Sequence, residues 1–278
     1  MNDPAAMRRK LRGDLKRYRM EQSLTQRHVA ERLDWSQSKI IRIENGAVAI
    51  GLTDLRALLQ LYRVTDESVV AELETMARSS KQLPFSGFKD IYSPETLRFF
   101  GYVQSASTVR QVEPLLLPAL LQTEEYARAL LAGMQTTADR IERIWEARQE
   151  RQELLDRTDS PDTYFVVDEA AVRRVVGSEG VMKRQLEHLI EMNSRPRVAI
   201  RIMPFDAGVH MGMRGGFVHL EFPGGDDPDV LFVENSLGVN VFRDDPDITG
   251  QYLADFLDLE TRASEPQDLG KVLGLIDA

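Results

Sequence analysis

The chain of 278 residues contains no cysteine. It therefore cannot form disulfides, thiolate metal sites or a cysteine nucleophile. It also lacks a long apolar run, because stretches such as Pro114–Leu121 are far shorter than the ~18 residues of a membrane-spanning helix. No apolar signal segment follows the first methionine. From these absences we expect a cytoplasmic protein with no membrane partner.

The composition is that of a globular protein, with 42% hydrophobic and 28% charged residues. At roughly 150 residues per domain, the length predicts two domains. The two signs of charge are divided unevenly between them. Residues 1–63 carry 13 basic and 7 acidic side chains, whereas the other 215 residues carry 22 basic and 37 acidic ones. This asymmetry predicts a basic N-terminal module that binds a polyanion and an acidic remainder that does not.

Two short amphipathic helices are predicted next to each other in the basic segment, over Gln26–Leu33 and Gln37–Glu44. Asp34 lies between them and tolerates the left-handed backbone of a tight turn. Ser36 is suited to cap the second helix. The regular spacing ends at residues 79–86, which contain Pro84, so we predict one domain over residues 1–82 and another over 83–278.

A family resemblance is carried by the string LTQRHVAERLDWSQSKIIRIENG, residues 24–46. It resembles the helix-turn-helix of the XRE family, the type found in Cro and the lambdoid repressors. The resemblance covers about residues 8–65 and implies an all-α domain of five helices. It also implies binding to double-stranded DNA, with the second helix in the major groove. Because one helix-turn-helix makes few contacts, we expect the protein to bind as a homodimer. Asp34 departs from the glycine that the family most often has at the turn.

The resemblance implies a set of DNA-binding residues. Gln37, Ser38 and Lys39 lie at the end of the second helix that reaches base edges, Gln37 being suited to adenine and Lys39 to guanine. Arg42, one turn later, is placed for a base or a phosphate. An N-capping serine usually only caps, but helix N-termini also bind phosphates. The positions implied at the DNA backbone are Gln26, Ser36 and Asn45.

Other polar and aromatic residues of the basic segment have simpler interpretations. We expect Trp35 to pack in the core or the turn and His28 to lie on the solvated surface. A charged helix face is usually only solvated, and this is our expectation for the basic side chains of the first helix, Arg8, Arg9, Arg12 and Lys16.

Residues 83–278 combine helical stretches with short runs rich in β-branched and aromatic residues. These runs are 164–167, 198–203, 216–222, 230–233 and 239–242. They predict an α+β domain with a mostly antiparallel sheet. Strings such as VEPLLLPALLQTEEYARAL (112–130) and IMPFDAGVH (202–210) resemble a domain of unknown function that follows an XRE helix-turn-helix in actinobacterial, WhiJ-like regulators. That resemblance implies a regulator, often associated with a small partner protein.

The second domain offers few residues suited to chemistry. His219, Glu221 and His210 are candidate ligands for a metal site of two histidines and one carboxylate. Their spacing is not a recognised signature, so we expect no metal, no cofactor and no enzymatic activity. Soft and aromatic side chains surround a glycine-rich connection and form either core or a pocket for a ligand or partner. They are Met203, Phe205, His210, Met211, Met213 and Phe217.

Three functions from different classes remain open. The first is a sequence-specific transcriptional regulator that binds a pseudo-palindromic operator as a homodimer and uses its second domain for dimerisation and for sensing a signal or partner. The alternative is an antitoxin-like module that holds a small partner protein, DNA binding being secondary. A metal- or small-ligand-binding sensor or enzyme is the second alternative.

Overall fold

The computed structural model describes residues 4–44, 48–79, 84–223, 228–235, 238–242 and 245–274. The chain forms two compact units, one over Met1–Ser86 and one that comprises Gly87–Pro223 and Pro228–Ala278. Within these described ranges, no helix is both long and apolar enough to cross a membrane.

The N-terminal unit is all-α, and its described part contains the five helices that the resemblance implied. They are α1 (Pro4–Glu21), α2 (Gln26–Leu33), α3 (Gln37–Glu44), α4 (Leu52–Leu61) and α5 (Glu67–Ser79). Each helix contributes apolar side chains to one core. Its buried members include Leu11, Leu15, Val29, Ala30, Ile40, Ile43, Leu55, Leu58 and Leu73. Burial of this shared core holds short helices that would be marginal alone.

Local capping fixes the ends of α2 and α3. The Thr25 hydroxyl accepts a hydrogen bond from the backbone N–H of His28 at 3.1 Å, and the His28 ring accepts one from the N–H of Thr25 at 3.4 Å. His28 is exposed, as expected. It also belongs to a capping box that the sequence analysis did not predict. Asp34 has φ 54° and ψ 42°, which confirms the predicted left-handed turn. Ser36 caps α3, since its hydroxyl accepts from the N–H of Lys39 at 3.2 Å.

The C-terminal unit combines helices and strands. Its helices are α6 (Pro94–Ser105), α7 (Glu124–Gly133), α8 (Ala138–Gln152), α9 (Glu169–Arg173), α10 (Glu179–Asn193), α11 (Pro246–Arg262) and α12 (Leu269–Val272). Its strands are β1 (Thr108–Glu113), β2 (Asp162–Asp168), β3 (Val198–Met203), β4 (Phe217–Glu221), β5 (Val230–Asn235) and β6 (Gly238–Phe242).

The described strands form one six-stranded sheet in the order β3-β2-β1-β4-β5-β6. Strand β2 pairs in parallel with both β1 and β3, whereas the pairs β1–β4, β4–β5 and β5–β6 are antiparallel. The sheet is therefore mixed, and the prediction of a mostly antiparallel sheet is correct only in part. Helices α7 and α8 connect β1 to β2, and α9 and α10 connect β2 to β3, which gives the long crossovers that parallel pairing requires.

Both faces of the sheet are covered. One core contains Val109, Phe165 and Ile200 of the sheet, together with side chains of α6, α7 and α10. The core on the other face contains Val112 and Phe217, which lie with the side chains of α11. The sheet is therefore a middle layer between helices.

Candidate nucleic-acid interface

Helix α3 has an exposed polar side and a buried apolar side. Gln37, Ser38 and Arg42 are exposed, while Ile40 and Ile43 are buried in the core. We call Gln37, Ser38 and Arg42 the recognition face. Within the described part of the chain, none of these three side chains has a hydrogen bond or an ion pair. An amide, a hydroxyl and a guanidinium on the recognition face are thus available for an external partner.

Lys39 differs from its neighbours because its ammonium is already engaged. Its Nζ lies 2.9 Å from Oδ1 of Asp54, in the first turn of α4, and 3.6 Å from the centroid of the Trp35 ring. The side chains of Lys39 and Asp54 are 37% and 33% exposed. A half-exposed ion pair contributes only about 0–1 kcal/mol, so a stronger anion or acceptor could displace Asp54. Sequence reasoning missed this pair, and the motif gives no signal for it.

Gln26 belongs to a partly buried polar cluster. The Arg19 guanidinium donates to both carboxylate oxygens of Glu44, at 2.7 and 3.0 Å, and to the carbonyl of Leu24 at 2.7 Å. The side-chain amide of Gln26 donates to Glu44 at 2.8 Å. We call Arg19, Gln26 and Glu44 the Glu44 cluster. It joins α1, α2 and α3 and fixes the Gln26 amide at the N-terminus of α2, where backbone N–H groups favour a phosphate.

Tyr62 lies in the core near the Glu44 cluster. Burial first, and the charge of Glu44 second, raise the pKa of the Tyr62 hydroxyl, while Arg19 opposes this effect. The hydroxyl therefore stays protonated at neutral pH. Arg19 and Glu44 are 11% and 3% exposed, so their ion pair is almost fully shielded from water. Removal of either charge would leave the other one buried and unpaired.

The other polar candidates of this unit are placed as follows. Ser36 is exposed next to the recognition face, and its hydroxyl still has a hydrogen to donate after capping α3. Asn45 lies outside the described residues. Trp35 is partly buried against the core, as expected. Arg12 is 7% exposed, so its predicted place on a solvated face is wrong; helix α1 turns it toward the protein.

The glycine-rich connection of the C-terminal unit separates the residues that the sequence grouped there. Met203 and Phe217 are buried in the core beneath α11. Phe205 and Met213 are each 63% exposed, and Met213 lines a shallow depression with His210 and Met211. His210 is itself buried, with its Nε2 3.4 Å from Oδ2 of Asp168.

His219, Glu221 and Asp229 offer one ligand atom each within 4.8 Å of one another. His210 is not a member of this group, so the candidate set that joined it to His219 and Glu221 is wrong. Such a set suits a divalent cation chemically. Arg110 competes for the place, because its guanidinium lies 2.5 Å from a carboxylate oxygen of Glu221. Asp229 was not predicted as a metal ligand from the sequence.

The fold of the N-terminal unit and the recognition face define a helix-turn-helix protein. A family model described as a helix-turn-helix domain matches residues 10–73. A second, described as a domain of unknown function (DUF5753), matches residues 96–273, which is more than half of the chain. The chain therefore belongs to the DUF5753 family and carries a helix-turn-helix domain in front of that domain. The predicted helix-turn-helix and the predicted domain of unknown function behind it are both confirmed. No curated protein and no solved structure gives a match.

Proposed function

We propose that this protein is a sequence-specific transcriptional regulator that inserts α3 into the major groove of DNA. The observation that carries the proposal is the contrast between the two sides of α3. The recognition face has polar groups without partners in the described chain, and the opposite side is held by the core and by the Glu44 cluster. A helix held in this way presents its side chains to bases at little cost in conformational entropy.

The proposed contacts divide into two kinds. Gln37 pairs with adenine through its amide, and Lys39 pairs with guanine after it leaves Asp54. Ser38 and Arg42 lie beside them on the same helix. Contacts that position the protein on the phosphates, without distinguishing sequences, come from the N-termini of α2 and α3 and from the residue after α3. They involve Gln26, Ser36 and Asn45.

We propose that the protein binds in the cytoplasm as a homodimer. One helix-turn-helix makes few base contacts, and two copies related by a twofold axis match a pseudo-palindromic operator. Residues 1–82 form the DNA-binding domain, and residues 83–278 supply the dimer contact and the sensing of a signal. No catalytic role or cofactor is assigned to either domain.

Selection of genomic fragments by the purified full chain, followed by sequencing, tests the proposal. The selected sites should share a pseudo-palindrome with half-site centres about 10 bp, or a multiple of this, apart. The mass of the protein in solution should be that of two chains. Selected fragments with no common sequence would reject sequence-specific regulation.

A second candidate function is a module that holds a small partner protein. It is favoured by Phe205, Val209 and Met213, which are 63%, 87% and 63% exposed on one connection. Arg262 holds this connection by donating to the carbonyls of Ala207 and Val209, at 2.6 and 3.0 Å. Exposed apolar groups on an anchored segment are typical of a protein-binding surface.

Co-purification from the native cell tests this candidate. A small protein should copurify with the wild type and with Leu115→Ser, a control at a residue that is 60% exposed on another segment. It should be lost from Val209→Ser. A chain that purifies alone, as a dimer that binds its operator, would argue against the partner.

A further inference from the structure

A cavity of about 340 Å³ lies inside the C-terminal unit, lined by residues of α6, β1 and α8 and of the segments near them. This volume falls at the lower end of the roughly 300–1,000 Å³ that ligand pockets span. Most of the lining is apolar and aromatic. Its larger members include Phe99, Phe100, Leu117, Leu131 and Phe232.

One wall of the cavity contains an arginine whose charge has no carboxylate partner in the described chain. The Arg148 guanidinium donates to the side-chain oxygen of Gln122, a neutral amide. Its Nε is sealed from solvent and makes no hydrogen bond to any residue that the structure describes. Burial lowers the pKa of this guanidinium. A largely buried cation without a counter-charge costs stability by itself, and an anion bound against it in the cavity would offset this cost.

The other charged groups of the lining favour the same sign of ligand. Arg151 is one helical turn from Arg148, with its guanidinium 3.8 Å from the centre of the Phe100 ring. Glu113 on β1 accepts a hydrogen bond from Gln111 at 2.7 Å. The lining thus carries two arginines and one carboxylate, a balance that suits a ligand with a single negative charge.

We propose that this cavity binds a small organic carboxylate, with its carboxylate on Arg148 and its apolar body against the aromatic lining. A planar guanidinium pairs with a carboxylate through two parallel hydrogen bonds, and phenyl or alkyl groups fill the remaining volume. The assignment names the chemical class of the signal that the C-terminal domain senses. That the bound acid regulates DNA binding rests on the proposed function, whereas binding of the acid to the cavity does not depend on DNA.

Thermal unfolding of the full chain tests the proposal with four probes: octanoate and 3-phenylpropionate, and the neutral octanamide and 3-phenylpropionamide. The carboxylates should raise Tm, because a ligand that binds only the folded state stabilises it, and the amides should not. Arg148→Met should lose the response, with an affinity measured by calorimetry lower by roughly tenfold to a hundredfold. Arg140→Met is the control, since Arg140 lies on the same helix outside the cavity and donates to the carbonyl of Ile91.

A second variant keeps the test decisive if Arg148→Met does not fold. Glu113→Gln removes the one carboxylate of the lining and should strengthen binding of both acids. Equal Tm shifts with acids and amides, no shift with any probe, or an unchanged response in both cavity variants would overturn the proposal. If the chain binds its operator but no acid, only the inference about the cavity fails. If it binds the acids but no DNA, only the proposed function fails.

Discussion

Glu44 connects α3 to both of the helices that precede it. Its carboxylate accepts hydrogen bonds from Arg19 of α1 and Gln26 of α2, and it is nearly free of water. Sequence analysis found the helices but not this cluster, because Arg19 and Glu44 are far apart along the chain. Their pairing becomes visible only when the helices are assembled.

Glu44→Ala should lower the free energy of unfolding by about 3 kcal/mol or more, because it leaves the Arg19 guanidinium buried and unpaired. Denaturant unfolding of the full chain measures the change. Glu31→Ala is the matched control, since Glu31 pairs with Arg27 at 2.8 Å on the exposed side of α2 and should have no measurable effect. A small loss for Glu44→Ala would mean that the cluster does not hold the three helices together.

Gln37→Ala should weaken binding to the cognate operator by about 1–3 kcal/mol and relax the preference at one base pair. Gln37 is exposed and has no side-chain partner in the described chain, so stability should not change. Titration of operator and scrambled DNA separates the two effects. Equal losses on both sequences would show that Gln37 does not distinguish bases.

Asp54→Asn should release Lys39 for DNA. Binding should strengthen by up to about 1 kcal/mol, the typical value of a half-exposed ion pair. A double-mutant cycle with Lys39→Met gives the coupling between the two side chains. If Asp54→Asn has the same effect in the Lys39→Met background, Lys39 makes no DNA contact that Asp54 restrains.

At the level of elements, the turn between α2 and α3 was predictable because its signal is local. Asp34 occupies a left-handed conformation, in which the Cβ of a side chain clashes with the backbone and costs free energy. Glycine has no Cβ and avoids this penalty. Asp34→Gly should therefore raise the free energy of unfolding by about 0.5–1 kcal/mol, and Asp34→Val should lower it. Denaturant midpoints of the three proteins give the order, and a loss of stability with glycine would contradict it.

Strand β1 shows why other elements were not predictable. Its sequence TVRQVE has two buried side chains, Val109 and Val112, which belong to the cores on opposite faces of the sheet. A strand covered on both faces shows no simple alternation of apolar and polar residues. The β-rich runs at 164–167 and 198–203 were recognised because every residue in them except Arg201 is apolar or aromatic. Without β1, the parallel pair that it forms with β2 could not be inferred.

The candidate sites of the C-terminal unit were hidden for a related reason. His219 lies on β4 and Asp229 directly precedes β5, and Arg148 faces a cavity built from several elements. No spacing along the sequence encodes either arrangement. The recognition face was accessible to sequence analysis because one short helix carries it and the motif fixes its direction.

At the level of the whole molecule, the uneven distribution of charge along the chain affects its binding to DNA. Residues 1–63 have an excess of basic side chains, and the remainder is acidic. Affinity for the operator should therefore fall steeply with salt, with a slope of about −0.9 in log K against log salt for each phosphate neutralised. Arg42→Gln should reduce that slope by roughly 1 if Arg42 binds a phosphate. An unchanged slope together with altered base preference would place Arg42 on a base instead.

The position of β1 in the sheet also determines when the C-terminal unit can fold during synthesis. This central strand leaves the ribosome early, but its parallel neighbour begins at Asp162 and its antiparallel neighbour at Phe217. Pairing between such distant segments is slow, so the sheet closes only after most of the chain has emerged. A nascent or truncated chain that ends before β4 leaves one side of β1 open, and an open strand edge recruits other chains into aggregates.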